Sequence, residues 1–283
     1  MPSAGLLLQA LASGVFLGAL YGLIGLGVGL GWGLLRQINL AHFAWVFLSA
    51  YITYELKTRL GVDPLVSLLL LVPAFAVLGM AVQGVFARFA LTPFNSLLVT
   101  FGITVSVEAL LQWVWSADFR RMSSIYEEHK FRLGSVVVTY SEALTLGMSL
   151  AAVAGVWWLL HRTDMGKSVR ASAEDPAIAT AFGINAKRLA IGVAGLCAAL
   201  AACAGVCVAL TFTLAPSQIF SWVGVVFAVV MIGRLGSAVT PLLGGLVIGI
   251  SEAMTQALIA PTWAPLVAFT MLILILLLRR GDE

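Results

Sequence analysis

The stretch "LAIGVAGLCAALAACAGVCVALTF", Leu189 to Phe212, carries no charged residue from end to end. A helix needs about 20 apolar residues to cross the hydrocarbon core of a bilayer, and in lipid its backbone groups must be satisfied within the segment. The stretch therefore predicts a membrane-spanning α-helix. It also holds the chain's three cysteines, Cys197, Cys203 and Cys207. Cys203 and Cys207 share a helical face, but no further His, Cys or carboxylate lies nearby, so they read as small packing residues rather than metal ligands.

The same composition extends in both directions. Of 283 residues, 61% are hydrophobic and 10% charged, with a mean hydropathy of +1.03. Apolar runs fall near 5–35, 38–56, 64–87, 95–116, 141–161, 187–213, 219–233, 238–260 and 262–278. They predict an all-α polytopic membrane protein of eight or nine spans, with residues 1–283 as a single transmembrane domain. The run at 38–56 is polar at its start and the run at 219–233 is short. Either suits a broken or re-entrant helix, which membranes tolerate where the backbone lines a cavity. The opening "MPSAGLLLQALASGVF" has no Lys or Arg and reads as a mature membrane segment rather than a secretory signal. A net charge of +3 is too small to indicate nucleic acid.

Orientation follows from the basic residues, which favour the cytoplasmic side in short loops. Placing the loop after His161 inside also places Arg36, Arg88, Arg162, Lys167, Arg170, Lys187, Arg188, Arg234, Arg279 and Arg280 inside. Lys57, Arg59, Arg120, Arg121, Lys130 and Arg132 then lie outside. The majority predicts the N-terminus out and the C-terminus in. Residues 117–140 become a periplasmic loop with a β-like "SVVVTY", either a solvated connection or a platform for an external partner. Residues 162–186 become a cytoplasmic loop.

Within the first run, Gly25, Gly29 and Gly33 recur every four residues, with Gly27 and Gly31 on a neighbouring face. That spacing predicts close approach by another helix. A dinucleotide fingerprint would need G-x-G-x-x-G in a strand–helix context, and neither is present.

Gly166-Lys167-Ser168 looks like the end of a phosphate-binding loop. Such a loop needs a glycine five residues before the Gly-Lys and a preceding strand, whereas this chain has His161 after a membrane span. No nucleotide site and no cofactor are expected. Instead, Gly166 to Phe182 reads as one Ala-rich helix, with Val169, Ala173, Ala177 and Ala181 in a smooth stripe suited to a groove on another protein. The alternative, a helix lying on headgroups, has only Ile178 and Phe182 to insert.

This loop resembles the coupling segment of the permease subunits of bacterial ATP-driven importers for branched-chain amino acids. Thr163, Gly166, Arg170-Ala171, Asp175, Ala179 and Gly183-Ile184 follow that family's order. Three other blocks resemble it as well: Ile38, Asn39, Ala41 and His42; Thr100, Gly102 and Glu108; and Gly233, Gly236-Ser237, Gly244-Gly245 and Glu252. The departures are Phe43-Ala44-Trp45 after the histidine, Arg234 where Gly is common, and Thr240-Pro241 in place of Gly-Ala. They fall near the expected pathway and leave the solute open among branched-chain amino acids, urea, short amides and aromatic acids.

The resemblance implies a multi-pass permease in the bacterial inner membrane that catalyses no bond change. It implies a second permease, two cytoplasmic ATP-binding subunits and a periplasmic solute-binding protein as partners, with the bilayer around them and no nucleic acid. It also implies coupling to the ATPase through Gly166, Val169, Arg170, Ala173, Glu174, Asp175, Ala177, Ala181 and Gly183. Polar groups inside spans are costly and usually face a cavity or a partner. Asn39, His42, Glu108, Gln112 and Glu252 are therefore the candidate substrate-pathway residues, against capping of a broken helix for Asn39 and His42 and buried hydrogen bonds for the two glutamates. The same carboxylates would suit a proton-coupled secondary transporter of small amino or organic acids, but that alternative leaves the Ala-rich helix unexplained.

Overall fold

The computed structural model describes residues 3–89, 92–233 and 235–279. Arg234 and Arg280 lie outside the described residues. Each apolar run is a helix: α1 (Ala4–Leu35), α2 (Ala41–Leu60), α3 (Pro64–Arg88), α4 (Pro93–Trp115), α6 (Tyr140–Arg162), α9 (Ala186–Thr211), α10 (Ile219–Ile232), α11 (Thr240–Leu258) and α12 (Ala264–Arg279). Six of these, α1, α3, α4, α6, α9 and α11, are long and apolar enough to cross a membrane. The protein is an all-α polytopic membrane protein.

Short polar residues set the helix starts. Asp63 and Thr92 each accept a backbone N–H of the first turn, and each is followed by a proline at the first helical position, where a missing N–H costs nothing. Thr139 and Glu142 cap each other's backbone at the start of α6. The two irregular runs resolve differently. α2 is one unbroken helix of 20 residues, and its polar approach, residues 37–39, is non-helical and partly buried against protein. α10 has 14 residues and rises about 21 Å, short of a bilayer core of about 30 Å. It is entered through a 3-10 turn, Pro216–Gln218.

α1 and α9 form the centre of the bundle, whereas α3, α4 and α6 keep most of their surface outward. Glycines decide how closely the central helices meet. Gly14, Gly18 and Gly22 of α1 face Gly245 and Gly249 of α11 backbone to backbone. A methyl group added at Gly18 would lie 2.6 Å from the Gly245 carbonyl oxygen and 2.7 Å from Leu246 Cα. The glycines singled out from the sequence sit further along. Gly25 abuts Val229 and Val230 of α10, Gly29 lies over Pro241, and Gly33 meets the backbone of Gly236, whose N–H donates to the Gly29 carbonyl at 3.1 Å. Gly27 faces the other way, onto the ring of His42. On α9, Cys197 and Cys207 are buried and Cys203 half-buried.

Residues 117–140 fold into a short helix α5 (Ile125–Glu128) and a hairpin of β1 (Lys130–Leu133) with β2 (Val136–Thr139). The "SVVVTY" run supplies β2, and Gly134, at φ 63°, makes the turn. At the opposite end of the bundle, the single helix expected from Gly166 to Phe182 is instead two, α7 (Asp164–Glu174) and α8 (Pro176–Ala181). Pro176 lacks the N–H that would continue α7, and Asp175 turns back to cap α8.

Candidate functional site

The α7–α8 elbow begins where Thr163, in extended backbone, ends α6 and caps α7 through Gly166 N–H. Gly166 is pressed against Leu160, whose Cα would lie 2.5 Å from an added methyl, so only glycine permits the reversal. Val169 is 4% exposed and faces the bundle. The guanidinium of Arg36, itself left-handed at φ 53°, donates to the Ala173 carbonyl at 3.0 Å and so ties the end of α1 to the end of α7. Asp175 Oδ1 accepts from Ala177 and Ile178 N–H at 2.9 and 3.0 Å. Behind the elbow is a cavity of about 190 Å³ whose lining includes Arg36, Gln37, Gln83, Val169 and Ser172.

The break divides the expected stripe. Val169 points inward and Ala173 is half-buried, while Ala177 and Ala181 are exposed beside Ile178 and Phe182. Phe182 is 85% exposed, the largest apolar group on this surface. By sequence alone, Ile178 and Phe182 are candidates only for insertion into lipid. The Asp-Pro pair was the available signal that they share a face with Ala177 and Ala181 on a separate helix. Arg170, Glu174 and Asp175 are exposed, and Gly183 ends α8 at φ 86°. Lys167 pairs with Asp164 at 2.9 Å and holds that carboxyl below its ordinary range.

The five candidate pathway residues fall in three separate places. Asn39 and His42 come together in a chamber of about 20 Å³, walled by Gly27 and Gly31 of α1, Gln83 of α3 and Ser96 of α4. Gly27 leaves the room that the His42 ring occupies. Asn39 Oδ1, His42 Nε2 and Ser96 Oγ are buried without a protein hydrogen-bond partner. A space of this size with three polar partners suits one water. Gln83 Nε2 donates to Gln37 Oε1 at 3.4 Å, and both glutamines also line the cavity behind α7. This amide pair stands between chamber and elbow.

Glu108 and Gln112 form the second place. Gln112 Nε2 donates to Glu108 Oε1 at 3.2 Å, with Glu108 half-buried and Gln112 exposed. The buried stripe of α4, Thr100, Thr104, Val107 and Leu111, packs into the bundle, and Glu108 borders it. Glu108 therefore lies at the edge of the packed face, with Gln112 further out on the exposed side.

Glu252 is the third. It lies in a vestibule of about 350 Å³ formed by α1, α6, α9, α11 and the 117–140 segment. Tyr21, which sequence reading missed because a tyrosine in an apolar run has no periodic signature, donates its hydroxyl to Glu252 Oε2 at 3.0 Å. Gln256 Nε2 reaches Glu252 Oε1 at 3.5 Å. Among the described residues, no group of three or more His, Cys, Asp or Glu could hold a metal ion.

Comparison with known proteins places the whole chain. Residues 10–276 match the family described as branched-chain amino acid transport system / permease component. The high-affinity branched-chain amino acid transport system permease protein BraD of Pseudomonas aeruginosa is 26% identical over 294 residues, covering 99% of this chain and 96% of that protein. LivH of Escherichia coli (strain K12), with the same description, is 26% identical over 293 residues, covering 95% and 92%. A shorter likeness, 28% over 173 residues, covers 59% of this chain and 47% of the fructose import permease protein FrcC of Rhizobium meliloti. No solved structure matches the chain.

Proposed function

The chain belongs to the branched-chain amino acid transport permease family, and from this premise we propose that it is the membrane subunit of an ATP-driven importer in a bacterial inner membrane. The observation that carries this reading is the α7–α8 elbow, anchored inward by Val169 and Arg36 while Ala177, Ile178, Ala181 and Phe182 stand outward. An element fixed on one side and apolar on the other is suited to receive motion from a docked partner. The elbow is the cytoplasmic coupling element and the 117–140 segment the periplasmic face, where a solute-binding protein delivers its cargo. Two ATP-binding subunits dock at the elbows of two permeases, and the chain itself breaks no bond. The solute is a small amphipathic molecule such as a branched-chain amino acid.

Polar groups on the lipid side of a span are costly, so the side of α4 that exposes Gln112 beside Glu108 is the one that a second permease covers. The chamber of Asn39 and His42 lies toward the inner end of the route, and the Glu252 vestibule toward its outer end. Uptake into vesicles bearing the full complex tests the reading. Transport should persist when the proton gradient is collapsed and stop when ATP is withheld. Uptake that follows the gradient and ignores ATP would overturn it.

Nucleotide binding resides in the partner subunits under this reading. Lys167 lies on a helix and pairs with Asp164 instead of facing a glycine-lined loop. Lys167→Ala should therefore leave the ATP affinity of the assembled complex within about twofold, since the side chain stands on an exposed helix without the glycine-lined loop that would wrap phosphates. A tenfold loss of nucleotide affinity would place Lys167 on the phosphates.

A further inference from the structure

We propose that the vestibule around Glu252 is a recognition site inside a single permease for a primary ammonium group on a short aliphatic chain. The charges of its lining point to a cation. Arg121, its one basic residue, is bound to Glu127 and reaches Thr213 Oγ1 at 3.4 Å. Glu142 is engaged by the backbone N–H and hydroxyl of Thr139 in the cap of α6. Glu252 is the carboxylate left for a ligand: its partners are the phenol of Tyr21 and the amide of Gln256, and no Lys, Arg or His pairs with it among the described residues.

The shape agrees with the charge. Phe16, Leu17, Leu20 and Leu210 supply apolar wall beside this polar floor, so the space suits a molecule with one charged end and one aliphatic end. A volume of about 350 Å³ is more than a bare ion or a few waters need and lies within the range of small-molecule sites. Tyr21 also packs edge-on against Trp222, with ring centroids 5.7 Å apart, which links the floor to a fluorescent reporter. A free carboxylate finds no unpaired cation here, and a neutral polyol finds no use for the charge. The site thus selects for the ammonium end of a solute. It rests on the permease reading and narrows that reading's solute to an amine-bearing one.

The test is calorimetric titration of the full chain in phosphatidylglycerol discs, which contain no ammonium headgroup, with Trp fluorescence as a second readout. Isoamylamine and L-leucine should bind; 4-methylpentanoate and fructose should not. Glu252→Gln, nearly the same shape, should weaken isoamylamine by at least about tenfold, because a hydrogen bond to a charged group is lost. Glu252→Asp should recover most of that affinity. Binding of the acid or of fructose equal to that of the amine, or indifference to Glu252→Gln, would overturn the proposal. Loss of isoamylamine binding in phosphatidylethanolamine discs would assign the site to lipid headgroups and also overturn it. These outcomes are distinct from the fate of the permease reading: ATP-driven leucine uptake unchanged in Glu252→Gln removes this site alone, whereas amine binding without ATP-driven uptake removes the importer and leaves the site.

Discussion

Gly18→Val should eliminate most of the folded permease. Its first added carbon would sit 2.6 Å from the carbonyl oxygen of Gly245 and 2.7 Å from Leu246 Cα, both backbone atoms that cannot swing aside. Overpacking costs about 1–3 kcal/mol where side chains can adjust, so about 3 kcal/mol or more is expected here. That is a large share of the 5–15 kcal/mol typical of a folded domain. Gly155→Ala on α6 is the control: nothing lies within 4 Å of its added methyl, and alanine is the better helix former by about 1 kcal/mol. Size-exclusion recovery and melting temperature of the detergent-purified chain measure both variants. A Gly18→Val protein that melts with the wild type would mean that α1 and α11 are not held backbone to backbone.

Ala177→Glu should stop ATP-driven uptake while leaving the permease folded. The substitution suits α8 itself, because an acidic residue in the first turn is favoured by the helix dipole, and Ala177 is exposed. Its penalty arises only when a partner covers it. An unpaired charge buried at an interface costs about 3–5 kcal/mol, or roughly two to three and a half orders of magnitude in affinity. Phe182→Ala should weaken docking in the same direction by removing the most exposed apolar anchor, whereas Lys167→Glu, at a solvated pair, should do little. Pull-down of the ATP-binding subunit with each variant, alongside uptake, measures the effect. Retention of that subunit with Ala177→Glu would remove α8 from the coupling surface.

The sequence disclosed what hydropathy controls and concealed what long-range packing controls. All nine apolar runs are helices, because a bilayer leaves an apolar segment little alternative to satisfying its own backbone. Which glycines meet which helix was not legible. Gly25, Gly29 and Gly33 have the same spacing as Gly14, Gly18 and Gly22, but only the second set lies backbone to backbone against Gly245 and Gly249 of α11. The break at Asp175-Pro176 was legible in principle, since a residue before proline resists helical backbone, but the alanine periodicity on either side obscured it. Polar residues inside spans stood out as a class. Their division among a chamber, a vestibule and an outward face depends on helix rotation, which composition does not encode.

The contact of Arg36 with the Ala173 carbonyl has a mechanical meaning. α1 is 32 residues long, roughly 48 Å from end to end, and its glycines seat it against α11 without side chains between the backbones. Two rods in such contact bend together or not at all. At the far end of α1, the Gln9 amide donates to the Val137 carbonyl and accepts from the Val137 N–H, which fastens the rod to the hairpin of the 117–140 segment. A push on α7 therefore does not dissipate in a local loop. Under the importer reading proposed above, such a push shifts α1 and α11 as one body and carries Tyr21 and Glu252, one on each rod, together past the α6 and α9 walls of the vestibule.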